Sequence, residues 1–330
     1  MAHTRRTLSM FALFSCVAAL ALAQPNAHAQ RYPQKPLRFI VPFPPGSAPD
    51  NVARIMAPQM TAISGQPVLI DSRPGAGGTL ATDLGAKAAP DGHTLMFAVL
   101  GPVSIAPTLY SKLPYDPVKD FAAVTLIALT PQLLIVGPSS PFKSAKELIA
   151  AALAKPGELI YASAGNGTLP HLSAELFSKR ADIRLIHVPY KGVAAALPDL
   201  IAGRANLAFA NIGTGLPHVK AGTLSALAVT SARRAAALPD TPTLAAAAGL
   251  ADFEMNDWFG VLVPARTPGR VVDDLHGIIV KTLNTPEVRT QFADLGVQPV
   301  TNKPAEFAAF IRSEITKWAE VIKLSGAKVE

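Results

Sequence analysis

The 330-residue chain has one cysteine, Cys16, and it lies in the first thirty residues. Everything after it can form no disulfide and offers no thiol nucleophile. Aromatic residues are scarce, at 6%, which argues against a stacking platform for nucleic acid. Charge is sparse as well: 16% of residues are Asp, Glu, Lys or Arg, the formal net charge is +7, and no basic run reaches five. So dispersed an excess gives no reason to expect nucleic acid as a partner and leans mildly toward anionic ligands. His93, His171, His187, His218 and His276 form no H-x-x-x-H or H-E-x-x-H pair. With no cysteine to help them, neither a metal nor another cofactor is expected. No G-x-S-x-G elbow is present, so no catalytic residue is assigned. Ser163 and Tyr190 are the groups that an enzyme on this chain would use, and no local signal marks a base for either. Arg73-Pro-Gly-Ala-Gly-Gly-Thr79 lacks the glycine spacing and first-strand context of a dinucleotide fingerprint.

What is present begins with an export leader. Arg5-Arg6 precedes the apolar run Leu8–Ala23, and Ala27-His-Ala29 has the small-x-small form of a cleavage site. Residues 1–29 are therefore read as a signal peptide, and the mature protein is expected in the periplasm. After it, no apolar stretch is long enough to span a membrane. A hydrophobic content of 49% then supplies the core that disulfides do not reinforce.

Short apolar runs alternate with Ala-rich helical stretches along the chain. Leu37–Val41, Thr94–Val99, Val124–Leu129, Leu133–Gly137, Leu159–Tyr161 and Leu207–Ala210 read as strands. Asp50–Ser64, His171–Lys179, Ala194–Ala202 and Arg270–Asn284 read as helices, with N-caps expected at Asp116, Ser144, Asp240 and Thr285. This alternation predicts an α/β fold with mostly parallel sheets covered on both faces. No long linker divides it, so the chain is expected to cross between two lobes near Thr130–Gly137 and Asp252–Val261. Lobe 1 is then 30–130 plus 255–330, and lobe 2 is 131–254.

Two strand-to-helix turns carry the chemistry. Phe43-Pro-Pro-Gly-Ser-Ala-Pro-Asp50 follows the first strand, and Ser163-Ala-Gly-Asn-Gly-Thr168 follows Leu159–Tyr161. Each presents backbone N–H groups at a helix N-terminus, a ready anion site. Two such turns far apart in one exported chain suggest a carboxylate gripped between lobes. Val188-Pro-Tyr-Lys-Gly192 makes a third strand-to-helix entry whose backbone is expected at the cleft; Tyr190 either faces the cleft or packs on the helix, and Lys191 either reaches the cleft or is solvated.

Many ordered motifs carry a resemblance. They include Tyr32-Pro-x-Lys-Pro-Leu-Arg-Phe-Ile-Val-Pro42, Arg73-Pro-Gly-Ala-Gly-Gly78, Ala88-Ala-Pro-Asp-Gly92, Ser163-Ala-Gly-Asn-Gly-Thr168, His187-Val-Pro-Tyr-Lys-Gly192 and Trp258-Phe-Gly260. Over essentially its whole mature length the chain resembles the periplasmic substrate-binding proteins of tripartite tricarboxylate transporters, the Bug family. The resemblance implies a two-lobed, Venus-flytrap periplasmic-binding-protein fold with a small carboxylate in the cleft. The ligand-binding residues expected on these grounds are Phe43, Pro45, Gly46, Ser47, Ala48, Gly77, Leu100, Ser104, Ala164, Gly165, Gly167, Thr168, Tyr190, Lys191, Gly192 and Asn211. Thr168 is expected to add its hydroxyl to the backbone donors around the carboxylate. The implied partners are a membrane permease of the same transporter type or a sensor kinase, with the receptor itself a monomer.

This chain also departs from the family pattern. Ser47 stands where a second glycine is usual, and Pro49 removes one N–H donor from the first turn. Phe209-Ala-Asn211 has Ala210 where an acid is frequent. Without that acid, the ligand is expected to be a carboxylate with no free ammonium group, unless another acid such as Asp257 takes its place.

Overall fold

The structure, a computed structural model, describes residues 32–325; the leader read from the sequence lies outside them. Ten strands are described: β1 (Leu37–Val41), β2 (Val68–Ser72), β3 (Thr94–Val99), β4 (Phe121–Val136), β5 (Ile160–Ser163), β6 (Ile186–Pro189), β7 (Leu207–Asn211), β8 (Ser225–Val229), β9 (Asn256–Pro264) and β10 (Gln298–Pro299). They form one hydrogen-bonded network in the order β2-β1-β3-β9-β4-β7-β5-β6, with β8 and β10 also paired to β4. Helices α1 (Ala48–Ser64), α2 (Thr79–Ala86), α3 (Ala106–Leu109), α4 (Ala145–Ala154), α5 (Leu169–Arg180) and α6 (Val193–Ile201) fill the first part of the chain. Then come α7 (Ile212–Lys220), α8 (Leu244–Ala248), α9 (Gly269–Leu283), α10 (Pro286–Asp294) and α11 (Pro304–Ser325). None of the described helices is long and apolar enough to cross a membrane.

The sheet is parallel at its flanks and antiparallel at its centre. β1 pairs in parallel with β2 and β3, and β5 with β6 and β7. These are the strands whose connections run through helices, as parallel pairing demands. β4 and β9 run antiparallel to each other and to the strands beside them. The two strands expected at Val124–Leu129 and Leu133–Gly137 are thus one 16-residue strand, β4. Its first part, through Pro131, pairs with β9, and its second part, from Gln132, pairs with β7. Register shifts against β9 between Ala123 and Thr125 and between Leu126 and Ala128 mark bulges, which increase local twist.

The core follows from the strands' near-continuous apolar runs. Phe39, Phe97 and Phe259, from the neighbouring strands β1, β3 and β9, meet in sequence as tilted ring pairs 5.4 Å apart and are fully buried. Trp258 on β9 meets the edges of Phe307 and Phe310 on α11, at centroid distances of 5.7 and 5.6 Å. Trp258 and Trp318 are both core residues. Ser144 and Thr285 cap α4 and α10 through their side chains, as read from the sequence. Asp240 does not cap: α8 starts four residues later, under Thr243. Asp116 instead closes a turn, accepting from Val118 N and Lys119 N.

Candidate functional site

Four helices begin at one cavity. Its walls are Ser47, Ala48 and Pro49 at the start of α1, Thr168, Leu169 and Pro170 at α5, Gly192 and Val193 at α6, and Asn211 and Thr214 at α7. Phe43, Val99, Gly101, Ala164 and Asp257 complete the lining of about 20 Å³, enough for ordered water. Each helix start lacks intrahelical acceptors for its first N–H groups and carries roughly half a positive charge. Among the described residues, no cation lines this cavity and Asp257 is its only ionisable side chain. The helix ends are therefore its source of positive potential. Prolines in the first turns of α1 and α5 thin the donors there.

Side-chain ties fix the mutual placement of these helices. Ala48 N donates to Thr214 Oγ1 at 2.7 Å, joining the starts of α1 and α7. Asn51 Nδ2 donates to Gly213 O at 3.1 Å in the same seam. Asn211 occupies the N-cap position of α7 but makes no cap bond. Its Nδ2 donates instead to Asp257 Oδ2, at 2.6 Å. β4 brings the two together, because Asp257 lies opposite Thr130 and Asn211 opposite Gln132. Asp257 Oδ1 accepts from Trp258 N at 2.8 Å, and Leu100 N is a further donor to the carboxylate. Burial nevertheless pushes the acid up to about 7, against the pull of those hydrogen bonds and with a small push from Glu314.

The structure divides the residues expected from sequence. Phe43, Ser47, Ala48, Ala164, Thr168, Gly192 and Asn211 line the cavity. Gly77, Gly165, Tyr190 and Lys191 line an adjoining open groove of about 510 Å³ instead. Pro45 and Gly46 are exposed. Leu100, Ser104 and Gly167 are buried but do not line the cavity, and Ser104 is fully buried. Two hydroxyls expected to face the ligand are already engaged. Thr168 Oγ1 donates to Gly165 O at 2.7 Å, and the Tyr190 hydroxyl donates to Asp199. A ligand carboxylate, which only accepts, would have to displace the first of these bonds to use Thr168. Gly101, inside the stretch Leu100–Ser104 expected at the cleft, lines the cavity, whereas Val99, Leu169, Pro170, Val193 and Thr214 escaped sequence reading. Asp257, named there only as an alternative to the acid missing at 210, does line the cavity.

The glycine turn after β5 is braced from behind by two imidazoles. Ser163 Oγ accepts from Gly165 N at 3.0 Å and sits 2.6 Å from His187 Nε2. His171 Nδ1 accepts from Gly167 N at 3.2 Å. The rings of Tyr161, His187 and His171 stack at centroid spacings of 4.6 and 4.5 Å. Sequence showed no base for Ser163 because His187 lies 24 residues away, on the neighbouring strand. Ser163 is fully buried and outside the cavity lining, and its bonds to Gly165 N and His187 shape the turn.

Burial holds both histidines at about 4, well below the ordinary value of 6.5. A neutral ring in the folded state and a charged one in the unfolded state make stability rise with pH across that interval. The stability these rings contribute is complete above about pH 6.5 and lost as the pH falls toward about 4. Urea midpoints are expected to drop over that window, and less steeply in a His187→Gln variant. Parallel profiles for the two proteins would contradict this role.

Residues 52–327 match the model of the tripartite tricarboxylate transporter family receptor. The periplasmic binding protein BugD, in its solved structure, is 32% identical, superposes with a TM-score of 0.87, and covers 91% of this chain and 100% of its own. A Rhodopseudomonas palustris protein solved with adipate is 34% identical, with a TM-score of 0.87 and coverage of 90% and 100%. MatC from Rhodopseudomonas palustris, solved with bound malate, is 33% identical, with a TM-score of 0.82 and coverage of 88% and 100%. These neighbours share the two-lobed periplasmic-binding fold that the sheet order describes. The chain belongs to the tripartite tricarboxylate transporter receptor family, whose relatives here are binding proteins.

Proposed function

We propose that this protein is a periplasmic receptor that closes on a small carboxylate and delivers it to a permease of the tripartite tricarboxylate type. The observation that carries this reading is the meeting of four helix N-termini at a cavity without a cation. Backbone N–H groups and helix dipoles suit a carboxylate, and exclusion of water strengthens them. The relatives solved with adipate and malate support the same ligand class. In this reading the lobes are 30–130 plus 255–330 and 131–254, and β4 and β9 form the crossing. A cavity this small admits a ligand only when its walls part, as hinged receptors do.

The test is direct. Native mass spectrometry of freshly purified protein should show a bound small acid. A thermal-shift panel of mono- and dicarboxylates should contain at least one that raises the melting temperature with concentration, by mass action. A panel in which no acid does so contradicts a carboxylate receptor.

A further inference from the structure

Asp257 is an odd wall for an anion site. Its carboxylate is nearly fully buried, and its partners are the N–H groups of Asn211, Trp258 and Leu100, all neutral. Among the described residues, the charged and titratable groups on the elements packed around it offer no counter-cation. Glu314 on α11 is an acid, held by Trp318 Nε1 at 2.9 Å and Lys317 Nζ at 3.4 Å. Asp50 on α1 is paired with Arg54 at 2.8 Å. His171 on α5 is buried and neutral, accepting from Gly167 N. On α7, His218 and Lys220 lie in the last turn, at the end away from the cavity.

Once the walls have parted and closed again around a carboxylate, that ligand lies close to Asp257 with water excluded. Two like charges in one dry pocket cannot both stay ionised cheaply, and the buried one takes a proton. A protonated carboxyl keeps its acceptor capacity toward Asn211 and gains one O–H donor for a ligand oxygen. We propose that Asp257 is the specificity-determining acid of this cavity: it is neutral in the bound state, donates to a ligand oxygen, and makes a carboxylate enter together with one proton. This rests on the reading of the cavity as a carboxylate site. It also defines the ligand class. A carboxylate bearing hydroxyl or further carboxyl oxygens is accepted, while an amine at this position would require the ionised acid.

The two kinds of ligand differ in the sign of their proton exchange. Uptake accompanies a carboxylate alone, whereas an ammonium group against Asp257 would release protons from the partly protonated acid. The unliganded acid titrates at about 7. Affinity for a carboxylate alone is therefore expected to be flat just below neutrality and to fall above it, by up to about tenfold per pH unit.

Isothermal titration calorimetry of the full mature protein tests this, with malate, adipate and aspartate as probes. It is run just above neutral pH in two buffers of different ionisation enthalpy. Uptake of up to one proton with malate or adipate is expected, and Asp257→Asn should abolish both the uptake and the pH slope. Asp257→Ser serves if the Asn variant does not fold. Binding of malate or adipate without uptake overturns the inference, as does uptake that survives in the variants. Tight aspartate binding with proton release, lost in Asp257→Asn, also overturns it. If none of the probes binds and the wider carboxylate panel fails too, the receptor reading itself falls.

Discussion

If the cavity takes a carboxylate, as proposed above, a Gly77→Val variant is expected to bind it on the order of 100-fold more weakly, about 2.7 kcal/mol, while its fold is retained. Gly77 has φ +63°, a left-handed conformation that a β-branched residue adopts at a cost of about 1–3 kcal/mol. A Cβ there would lie 2.7 Å from Asn166 O and 3.5 Å from Thr168 Cγ2. The first contact is with backbone, which no rotamer change relieves. Gly165 faces the same seam from the other side: its own Cβ would meet Tyr190 O at 3.2 Å and Gly77 Cα at 3.5 Å. The turns after β2 and β5 thus meet with no space for a side chain. Valine at 77 would hold them apart and keep the α5 N-terminus from the ligand. Gly157→Ala is the control, since Gly157 has φ +77° with nothing within 4 Å. That control shares the backbone strain and should keep full affinity in calorimetry. Equal losses in both variants would show that strain, rather than contact between the turns, sets the effect.

Trp258→Ala is expected to destabilise the protein by about 3–5 kcal/mol, read from urea unfolding. The indole is about 1% exposed and packs edge-on against Phe307 and Phe310. Its truncation leaves a cavity between β9 and α11 that large, fixed neighbours cannot fill. Buried Trp258 Nε1 makes no hydrogen bond. Trp258→Phe therefore loses volume but no polar partner, and should cost far less than the alanine variant. A similar loss in both would place the indole nitrogen, not packing, at the centre of the effect.

The punctuation of the chain made most elements legible. Leu37–Val41 and Thr94–Val99 begin and end as read, because prolines, glycines and polar residues bracket apolar runs. The two anion-ready turns were legible for the same reason, and both reach the cavity. β4 was not. Thr130-Pro131 reads as a break because proline donates no ladder hydrogen bond. In the fold, Pro131 is the last residue paired with β9 and Gln132 the first paired with β7, so the missing N–H falls at the handover between partners. The rest of the site depends on contacts that no local window contains. Asp257 meets Asn211 across 46 residues, Ala48 meets Thr214 across 166, and Ser163 meets His187 across 24. Nor could local sequence show that Thr168 and Tyr190 spend their hydroxyl protons on Gly165 O and Asp199.

The central position of β9 also governs the order in which the molecule can assemble. β3 and the first part of β4 both take β9 as a neighbour, in registers such as Met96↔Leu262 and Leu126↔Gly260. Until residues 256–264 are available, each presents an open, apolar strand edge. Contacts of such long sequence separation slow folding, and open edges invite pairing between chains. Folding of the early strands therefore waits for the late ones, and a chain cut before Asn256 is left with two unfinished sheet edges rather than a smaller working lobe.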